Sequence, residues 1–125
     1  MCELCQKDSK IGRKVKQEIK SLVHRLLRKY TIDRIILFGS FSRGDFHNWS
    51  DIDMIVVGDF KERFFDRIGL VLNEHKGVHV LEPLVYTPEE FARMKKEKRP
   101  FIQEILKTGI LLYKRGRKKR FYEQE

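Results

Sequence analysis

The sequence has little cysteine and no long apolar run, and both absences exclude classes of protein. Two cysteines among 125 residues are too few for a small secreted scaffold held together by disulfides. No apolar run approaches the length of a membrane span. The first residues also lack the apolar stretch of a secretory signal peptide. We therefore expect a cytoplasmic protein with no membrane partner.

The two cysteines form a single Cys-x-x-Cys motif near the start of the chain, Cys2 and Cys5. A structural zinc site usually needs four Cys and His ligands, and this chain has no second cysteine pair. Its histidines are scattered along the sequence, at His24, His47, His75 and His79. The favoured interpretation is two reduced thiols on a loose terminus, and the alternative is a zinc site shared between two chains.

Acidic residues are outnumbered by basic ones, 18 against 27, which gives a net charge of +9. Such a balance suits a polyanionic partner, whether nucleic acid, a nucleotide or an acidic protein, and does not choose among them. The length is that of one domain.

A buried strand and a tight turn begin the most informative stretch. Ile35 to Phe38 is a short apolar run, which is typical of a buried strand, and Gly39-Ser40 ends it. Glycine allows a ligand or another backbone to come close. If a helical turn starts at Ser40, its free N–H groups favour an anion such as phosphate.

A pair of aspartates follows at the start of a second strand, Ile52 to Val57. Side chains at i and i+2 of a strand share a face, so Asp51 and Asp53 project together. Carboxylate pairs of this kind suit Mg²⁺, which completes its shell with water and substrate phosphates. Asp51 could instead cap a local turn, but a carboxylate at Asp53, in an apolar strand, is costly unless it is paired or metal-bound. Together with the turn, the pair indicates a nucleoside triphosphate with Mg²⁺.

The spacing of these motifs resembles a known signature. Gly39-Ser40, ten residues and Asp51-x-Asp53 resemble the motif of the DNA polymerase β-like nucleotidyltransferases, and Arg43-Gly44 and Ser50 fit it too. At this length the chain resembles the minimal nucleotidyltransferases, which are often paired with a HEPN-domain ribonuclease toxin. The resemblance implies an α/β (α+β) fold, in which a small mixed β-sheet of the polymerase β palm type is flanked by helices.

The resemblance also implies a reaction. It implies that Asp51 and Asp53 bind Mg²⁺, two ions in all, and that Gly39, Ser40, Arg43 and Ser50 contact ATP. The acceptor it implies is a tyrosine of the HEPN partner, which AMP would silence, so that the protein acts as an antitoxin. For Arg43, a structural ion pair within the loop is an equal alternative.

A third carboxylate is implied on the strand after the Asp-x-Asp pair, where the family most often has an aspartate. Here the candidate is Glu82, followed by Pro83. It would act as a general base or as a third metal ligand, and the alternative is a solvent-exposed edge carboxylate. Pro83 cannot donate a ladder hydrogen bond, so the strand from Val78 to Tyr86 is predicted at a sheet edge or with a bulge.

The rest of the chain predicts five more elements, four helices and one strand. An amphipathic helix starts at Ile11, a second helix opens at Asp59 and is capped near Gly77, and Thr87-Pro88-Glu89-Glu90 starts a third with a capping box. Pro100 restarts a helix that ends at Gly109, and Ile110 to Tyr113 forms the last strand. Phe46 and Trp49 are expected to cover the core, with stacking on a base or docking of a partner as the alternatives. His47 is expected to lie at the surface. The domain limits are 1–10 for a flexible terminus, 11–113 for the nucleotidyltransferase domain and 114–125 for a basic tail.

Two further functions stay open at this stage. The tail KRGRKKR leaves room for an RNA 3′ hydroxyl as acceptor. The basic face of the first helix is favoured as an ordinary solvated surface, and a nucleic-acid contact is the alternative. A non-catalytic module that occludes a partner or holds nucleic acid is the other possibility.

Overall fold

A computed structural model describes residues 9–44 and 50–116 of the chain. Within these ranges the helices and strands alternate until the end of the domain, where two helices stand in succession. None of the helices there is long and apolar enough to cross a membrane. The elements are α1 Ser9–Lys29, β1 Ile32–Phe38, α2 Ser40–Arg43, β2 Ile52–Gly58, α3 Phe64–Glu74, β3 Leu81–Tyr86, α4 Pro88–Lys96, α5 Pro100–Thr108 and β4 Ile110–Lys114.

The strands form one mixed sheet in the order β3-β2-β1-β4. β1 pairs antiparallel with both β2 and β4, whereas β2 and β3 run parallel. The parallel pair is connected through α3, as parallel neighbours require a crossover. This small mixed sheet with helices around it is the fold class predicted from the sequence, and it is confirmed.

Each face of the sheet is covered by helices, so the domain has two cores. On one face, α1 and α3 pack on alternate strand residues such as Leu37, Met54 and Val56. On the other face, α4 and α5 bury the intervening residues, including Ile36, Ile55 and Val57. Residues two apart in a strand share a face, so the alternation assigns every residue of the central strands to one helical layer.

The edge strand β3 is protected against further pairing. Pro83 removes one backbone donor from it, and the Arg67 guanidinium donates from Nη1 to the Val85 carbonyl at 3.4 Å. Arg67 also binds the Glu90 carboxylate at 2.7 Å and the Glu62 carbonyl at 2.7 Å. The predicted edge position of Pro83 is thus confirmed, and a buried arginine helps to close this edge.

Most helix boundaries follow the local signals. The Thr87 hydroxyl accepts from the Glu90 N–H, and the Glu90 carboxylate accepts from the Thr87 N–H. This is the predicted capping box, with Pro88 in the first helical turn. The predicted helix end at Gly109 and the final strand from Ile110 are also present.

Two predicted starts are wrong. α3 begins at Phe64 instead of Asp59: the Phe60 N–H donates back to the Gly58 carbonyl at 3.0 Å in a tight turn, and Arg63, the residue before the helix, is extended. β3 begins at Leu81 instead of Val78, because its partner β2 starts only at Ile52, opposite Leu81. Residues 78–80 therefore have no β2 residue to pair with, apart from the Ile52 N–H that binds the Val80 carbonyl at 2.7 Å.

The predicted helix cap at Gly77 is also wrong. α3 ends earlier, with His75 as its cap. A Cβ at Gly77 would collide with the Glu18 side chain of α1. Glu18 accepts from His79, both from its backbone N–H at 3.1 Å and at its Nδ1 at 2.8 Å. Gly77 therefore makes room for the contact between α1 and the segment before β3.

Several predictions concern residues outside the described ranges. These are the interpretations of Cys2 and Cys5, those of Phe46, His47 and Trp49, and that of the tail beyond residue 116. The division at residues 10 and 113 stays a prediction as well, although α1 begins at Ser9 and β4 extends to Lys114.

Candidate active site

A helical turn begins at Ser40, directly after β1, which is the condition on which the predicted phosphate contact depends. Gly39 adopts φ 78° and ψ −152°, a backbone region open essentially only to glycine. Its carbonyl accepts from the N–H groups of Ser42 and Arg43, both at 3.1 Å, and from the Ser42 hydroxyl at 3.0 Å. Along the chain, Ser40 comes before Ser42, the first residue whose N–H this turn pairs, as expected at the start of a helical turn.

The turn is held from the side of α1. Phe41 is fully buried in the core beneath that helix. The His79 ring stands edge-on to it, with 5.9 Å between the ring centroids. Gly44 ends the turn in the left-handed conformation, at φ 83°, which glycine adopts without steric cost. The short α2 is therefore anchored by packing, not by its own length.

Asp53 lies directly beside this turn. It is the register partner of Phe38, the last residue of β1, and a Cβ placed on Gly39 would collide with the Asp53 carboxylate. By alternation Asp53 belongs to the face that carries Ile55 and Val57, under α4 and α5. Asp51, just before β2, shares that face. The sequence prediction that the two carboxylates project together agrees with this placement.

Glu82 completes the group from the neighbouring strand. It is the parallel register partner of Asp53, so the two side chains lie on the same face of the sheet. The side chain of Glu82 is exposed and hydrogen-bonds to the Asp51 side chain. The structure thus brings together the carboxylates that the sequence marked as candidates, from β2 and β3, at the end of the sheet where β1 turns into α2.

Asp53 and Glu82 hold their protons more tightly than isolated carboxylates, because the pKa of each is raised. Burial raises the pKa of Asp53, repulsion by Asp51 raises it further, and the charge of Arg43 opposes both effects. The hydrogen bond with Asp51 raises the pKa of Glu82, and burial and the charges of Asp51 and Asp53 add to it. Such mutual repulsion at one end of a sheet is typical of functional sites.

The donor set suits a hard divalent cation. Asp51, Asp53 and Glu82 offer carboxylate oxygens only, which Mg²⁺ prefers, and a cation there would relieve their repulsion. Among the described residues, no three His, Cys, Asp or Glu side chains stand in a ready-made metal-binding arrangement. Glu82 instead adjoins Asp51, and metal binding requires both carboxylates to be ionised.

The remaining predicted ligands differ in exposure. Ser40 is partly exposed at the start of α2, and Arg43 is exposed and near enough to Asp53 to lower its pKa. Ser50 is only 8% exposed, so its side chain is enclosed at the start of β2. Of the predicted nucleotide ligands, Gly39, Ser40 and Arg43 therefore stand at the open side of the turn.

Sequence reasoning missed a pair of aromatic rings at the same place. Phe38 and Phe101 stand edge-to-face, with their ring centroids 5.7 Å apart and their planes at 88°. Phe38 had been assigned to a buried strand, and Phe101 to a helix starting at Pro100. One sequence feature pointed to Phe101: it directly precedes Ile102, which with Ile105 forms the buried face of the helix, so its side chain lies at the edge of that face.

The chain is similar to proteins of known kind. It is 38% identical over 97 residues to the Methanocaldococcus jannaschii protein named "Putative protein adenylyltransferase MJ0604". The aligned region covers 76% of this chain and 94% of that protein. Among solved structures it resembles a putative nucleotidyltransferase from Sulfolobus solfataricus, with a TM-score of 0.60 and 21% identity over 92% of this chain and 90% of the other.

A second solved structure is a chain from a toxin-antitoxin crystallised with AMP-PNP. It has a TM-score of 0.50 and 19% identity over 78% of this chain and 74% of the other. Both structural likenesses concern the fold. Residues 17–118 match the family described as Polymerase beta, Nucleotidyltransferase, a stretch that runs from α1 past β4 and includes every carboxylate of the site. The chain is therefore a nucleotidyltransferase and belongs to the polymerase beta nucleotidyltransferase family.

Proposed function

We propose that this nucleotidyltransferase moves AMP from ATP onto a hydroxyl of a protein partner, in a Mg²⁺-dependent reaction. The observation that carries the proposal is the register of the sheet. It sets Asp53 against Glu82 on one side and beside Gly39 on the other. A group of carboxylates directly beside a phosphate-binding turn suits a substrate that carries both phosphates and a metal ion.

Asp51, Asp53 and Glu82 would hold the Mg²⁺ ions, two in the arrangement we expect. Bound there, Mg²⁺ would neutralise charge on the triphosphate and polarise the phosphorus that is attacked. Gly39, Ser40 and Arg43, at the open side of the turn, are the proposed nucleotide contacts, whereas Ser50, predicted with them, has an enclosed side chain. The Ser40 amide and the Arg43 guanidinium are the groups that suit the outer phosphates, because a helical turn and an exposed cation both favour anions.

The transfer forms one bond and breaks another. The acceptor oxygen attacks the α-phosphorus in line, the bond from that phosphorus to the bridging oxygen breaks, and pyrophosphate leaves. The acceptor proton passes to an ionised carboxylate of the site, for which Glu82 is the candidate, since it is exposed at the edge strand. Most of the rate enhancement would come from positioning and charge neutralisation.

Two comparisons support a protein acceptor. The Methanocaldococcus jannaschii relative is named as a protein adenylyltransferase, and one structural neighbour is a toxin-antitoxin bound to AMP-PNP. We therefore propose a HEPN-domain toxin as the partner, with one of its tyrosines as the acceptor and antitoxin activity as the outcome.

An RNA 3′ hydroxyl is the second candidate acceptor. The observation that favours it is the exposed basic surface of α1, which includes Arg13, Lys14 and Arg28, together with Arg115 after β4. Cations on a helix face are also ordinary solvated residues. Simple occlusion of a partner, with no transfer, is the remaining alternative.

The test is transfer from α-labelled ATP with Mg²⁺, using the wild type, Asp53→Asn and the control Asp59→Asn. Asp59 is exposed just past the opposite end of β2, so the control makes the same chemical change away from the site. Purified HEPN partner, its tyrosine-to-phenylalanine variants and total RNA serve as acceptors. We expect label on the partner with the wild type and Asp59→Asn, and none with Asp53→Asn.

The other outcomes separate the alternatives. Label on RNA alone would replace the protein acceptor with a nucleic acid. Absence of label on both, while the partner still binds, would favour occlusion. Equal labelling by Asp53→Asn and the wild type would remove Asp53 from the mechanism.

A further inference from the structure

The end of β1 places an aromatic ring beside the carboxylates. Phe38 is the antiparallel register partner of Asp53, so both side chains project from the same face of the sheet. Register partners in antiparallel strands lie about 5 Å apart at their Cα atoms. Phe38 also directly precedes Gly39, so it adjoins the phosphate turn as well. Its ring is only partly buried.

A second ring extends this surface outward. Phe101, in the first turn of α5, stands edge-to-face against Phe38 at 5.7 Å and is 49% exposed. The helix packs on the sheet through Ile102 and Ile105, which are buried. Half of the Phe101 side chain therefore faces water at the rim of a charged site, although burying it would be favourable. An exposed ring in such a place is available to a ligand.

The sheet order assigns the two flanks of Asp53 to different chemistry. Glu82 of β3 lies on one flank and Phe38 of β1 on the other. When the α-phosphate of a nucleotide lies at Asp53, two groups must be placed next to its phosphorus atom. One is the acceptor that attacks the phosphorus, and the other is the nucleoside attached to it. The charged flank suits a hydroxyl that must lose a proton. The ring flank suits a flat, apolar and polarisable group.

We infer that Phe38 and Phe101 form the platform on which the nucleobase of the substrate stacks. This inference rests on the proposed function, because it takes the triphosphate to lie along the Gly39 turn and the carboxylates. The ring of Phe101 supplies the exposed stacking surface, and Phe38 supports it edge-on and fixes its position. Phenyl rings carry no hydrogen-bonding groups, so the platform accepts adenine and guanine alike and holds pyrimidines less tightly, through their smaller stacking area.

The experiment compares two ligands, one that carries a nucleoside and one that consists of the phosphate chain alone. Calorimetry with Mg²⁺ present measures the affinity for an adenosine triphosphate analogue that cannot be cleaved between the α- and β-phosphates, and for inorganic tripolyphosphate. The variants are Phe101→Ala, Phe101→Leu, which keeps apolar volume without a ring, and Phe101→Trp, which restores a ring. Phe65→Ala is the matched control, because Phe65 is 81% exposed on α3, in the opposite helical layer.

We expect Phe101→Ala and Phe101→Leu to weaken the nucleotide analogue about 5- to 100-fold, the range that one base–aromatic stack gives. Tripolyphosphate binding should be unchanged in both variants. Phe101→Trp should restore nucleotide affinity, and Phe65→Ala should change neither ligand. A merely structural role for Phe101 would weaken both ligands together, which would overturn the platform.

Failure of the platform differs from failure of the proposed function. If the wild type binds the nucleotide and Phe101→Ala binds it within twofold as tightly, the platform is wrong and the proposed function stands. If the wild type binds tripolyphosphate as tightly as the nucleotide, the base makes no contact and the platform is again wrong. If the wild type binds neither ligand with Mg²⁺, both fall together.

Discussion

Replacement of Gly39 by alanine tests the junction on which the site depends. Gly39 has φ 78° and ψ −152°, and an L-residue in such a region costs about 1–3 kcal/mol. The new Cβ would also collide with the Asp53 carboxylate, and overpacking of this kind costs about 1–3 kcal/mol. The stiffer unfolded chain returns about 0.4–1 kcal/mol. We therefore expect the free energy of unfolding to fall by roughly 1–6 kcal/mol, the balance of these terms.

Gly44→Ala is the matched control for this change. Gly44 also has a positive φ, 83°, but no atom lies within 4 Å of the position its Cβ would occupy. The variant should lose only the cost of a left-handed residue, about 1–2 kcal/mol before the same return from the unfolded chain. Urea unfolding at constant pH measures both free energies, and AMP transfer measures the functional effect.

The two variants should differ in activity more than in stability. Gly39→Ala displaces Asp53 from the turn, so transfer should be lost even at temperatures where the variant is folded. Gly44→Ala should keep most of its activity, because its Cβ would project into open space. Equal losses of stability in the two variants would show that the collision with Asp53 is relieved at no cost. Full transfer by Gly39→Ala would refute the close approach of turn and carboxylate as a requirement.

Two further predictions follow from the ionised groups. Asp53→Asn should raise the thermal unfolding temperature without Mg²⁺, because the raised pKa of Asp53 means that its ionised form destabilises the fold at neutral pH. Mg²⁺ should then stabilise the wild type and not the variant, and a wild type melting higher than Asp53→Asn in EDTA would contradict this. The Arg67 hydrogen bond lowers the pKa of Glu90, so Glu90 stabilises the fold above its unfolded pKa, and that stability is lost as the pH falls through the lower folded value. The free energy of unfolding, measured with urea between pH 6 and pH 3, should therefore decline less steeply for Glu90→Gln than for the wild type. Glu89→Gln, at an exposed neighbouring position, should follow the wild type.

The stability cost at Asp53 agrees with the cation binding proposed for it. A carboxylate repelled by its neighbours and partly withdrawn from water is unfavourable until a cation joins it. The same arrangement strengthens the attraction for a divalent cation with a nucleotide. The site is thus expected to be least stable empty and to gain stability from its ligands.

The local signals of the sequence determined much of the fold. Gly39-Ser40 and the two aspartates depend on backbone freedom and side-chain alternation, which act over a few residues. The capping box of Thr87 and Glu90 is equally local, and it is present as predicted. Apolar periodicity also located the helices and strands, since burial of one face leaves its period in the sequence. The family resemblance rested on these same short motifs and is confirmed.

Only the tertiary structure decided which residues meet across the sheet. Nothing local to Glu82 shows that it pairs in register with Asp53 and hydrogen-bonds to Asp51, because the order β3-β2-β1-β4 arises from long-range packing. The start of β3 at Leu81 was set by its partner strand, not by its own apolar residues. The contact of Phe38 with Phe101 is likewise invisible in the sequence, where the two rings are far apart. The spacing of residues along the chain determined which chemical groups are candidates, and strand register determined which of them come together in one site.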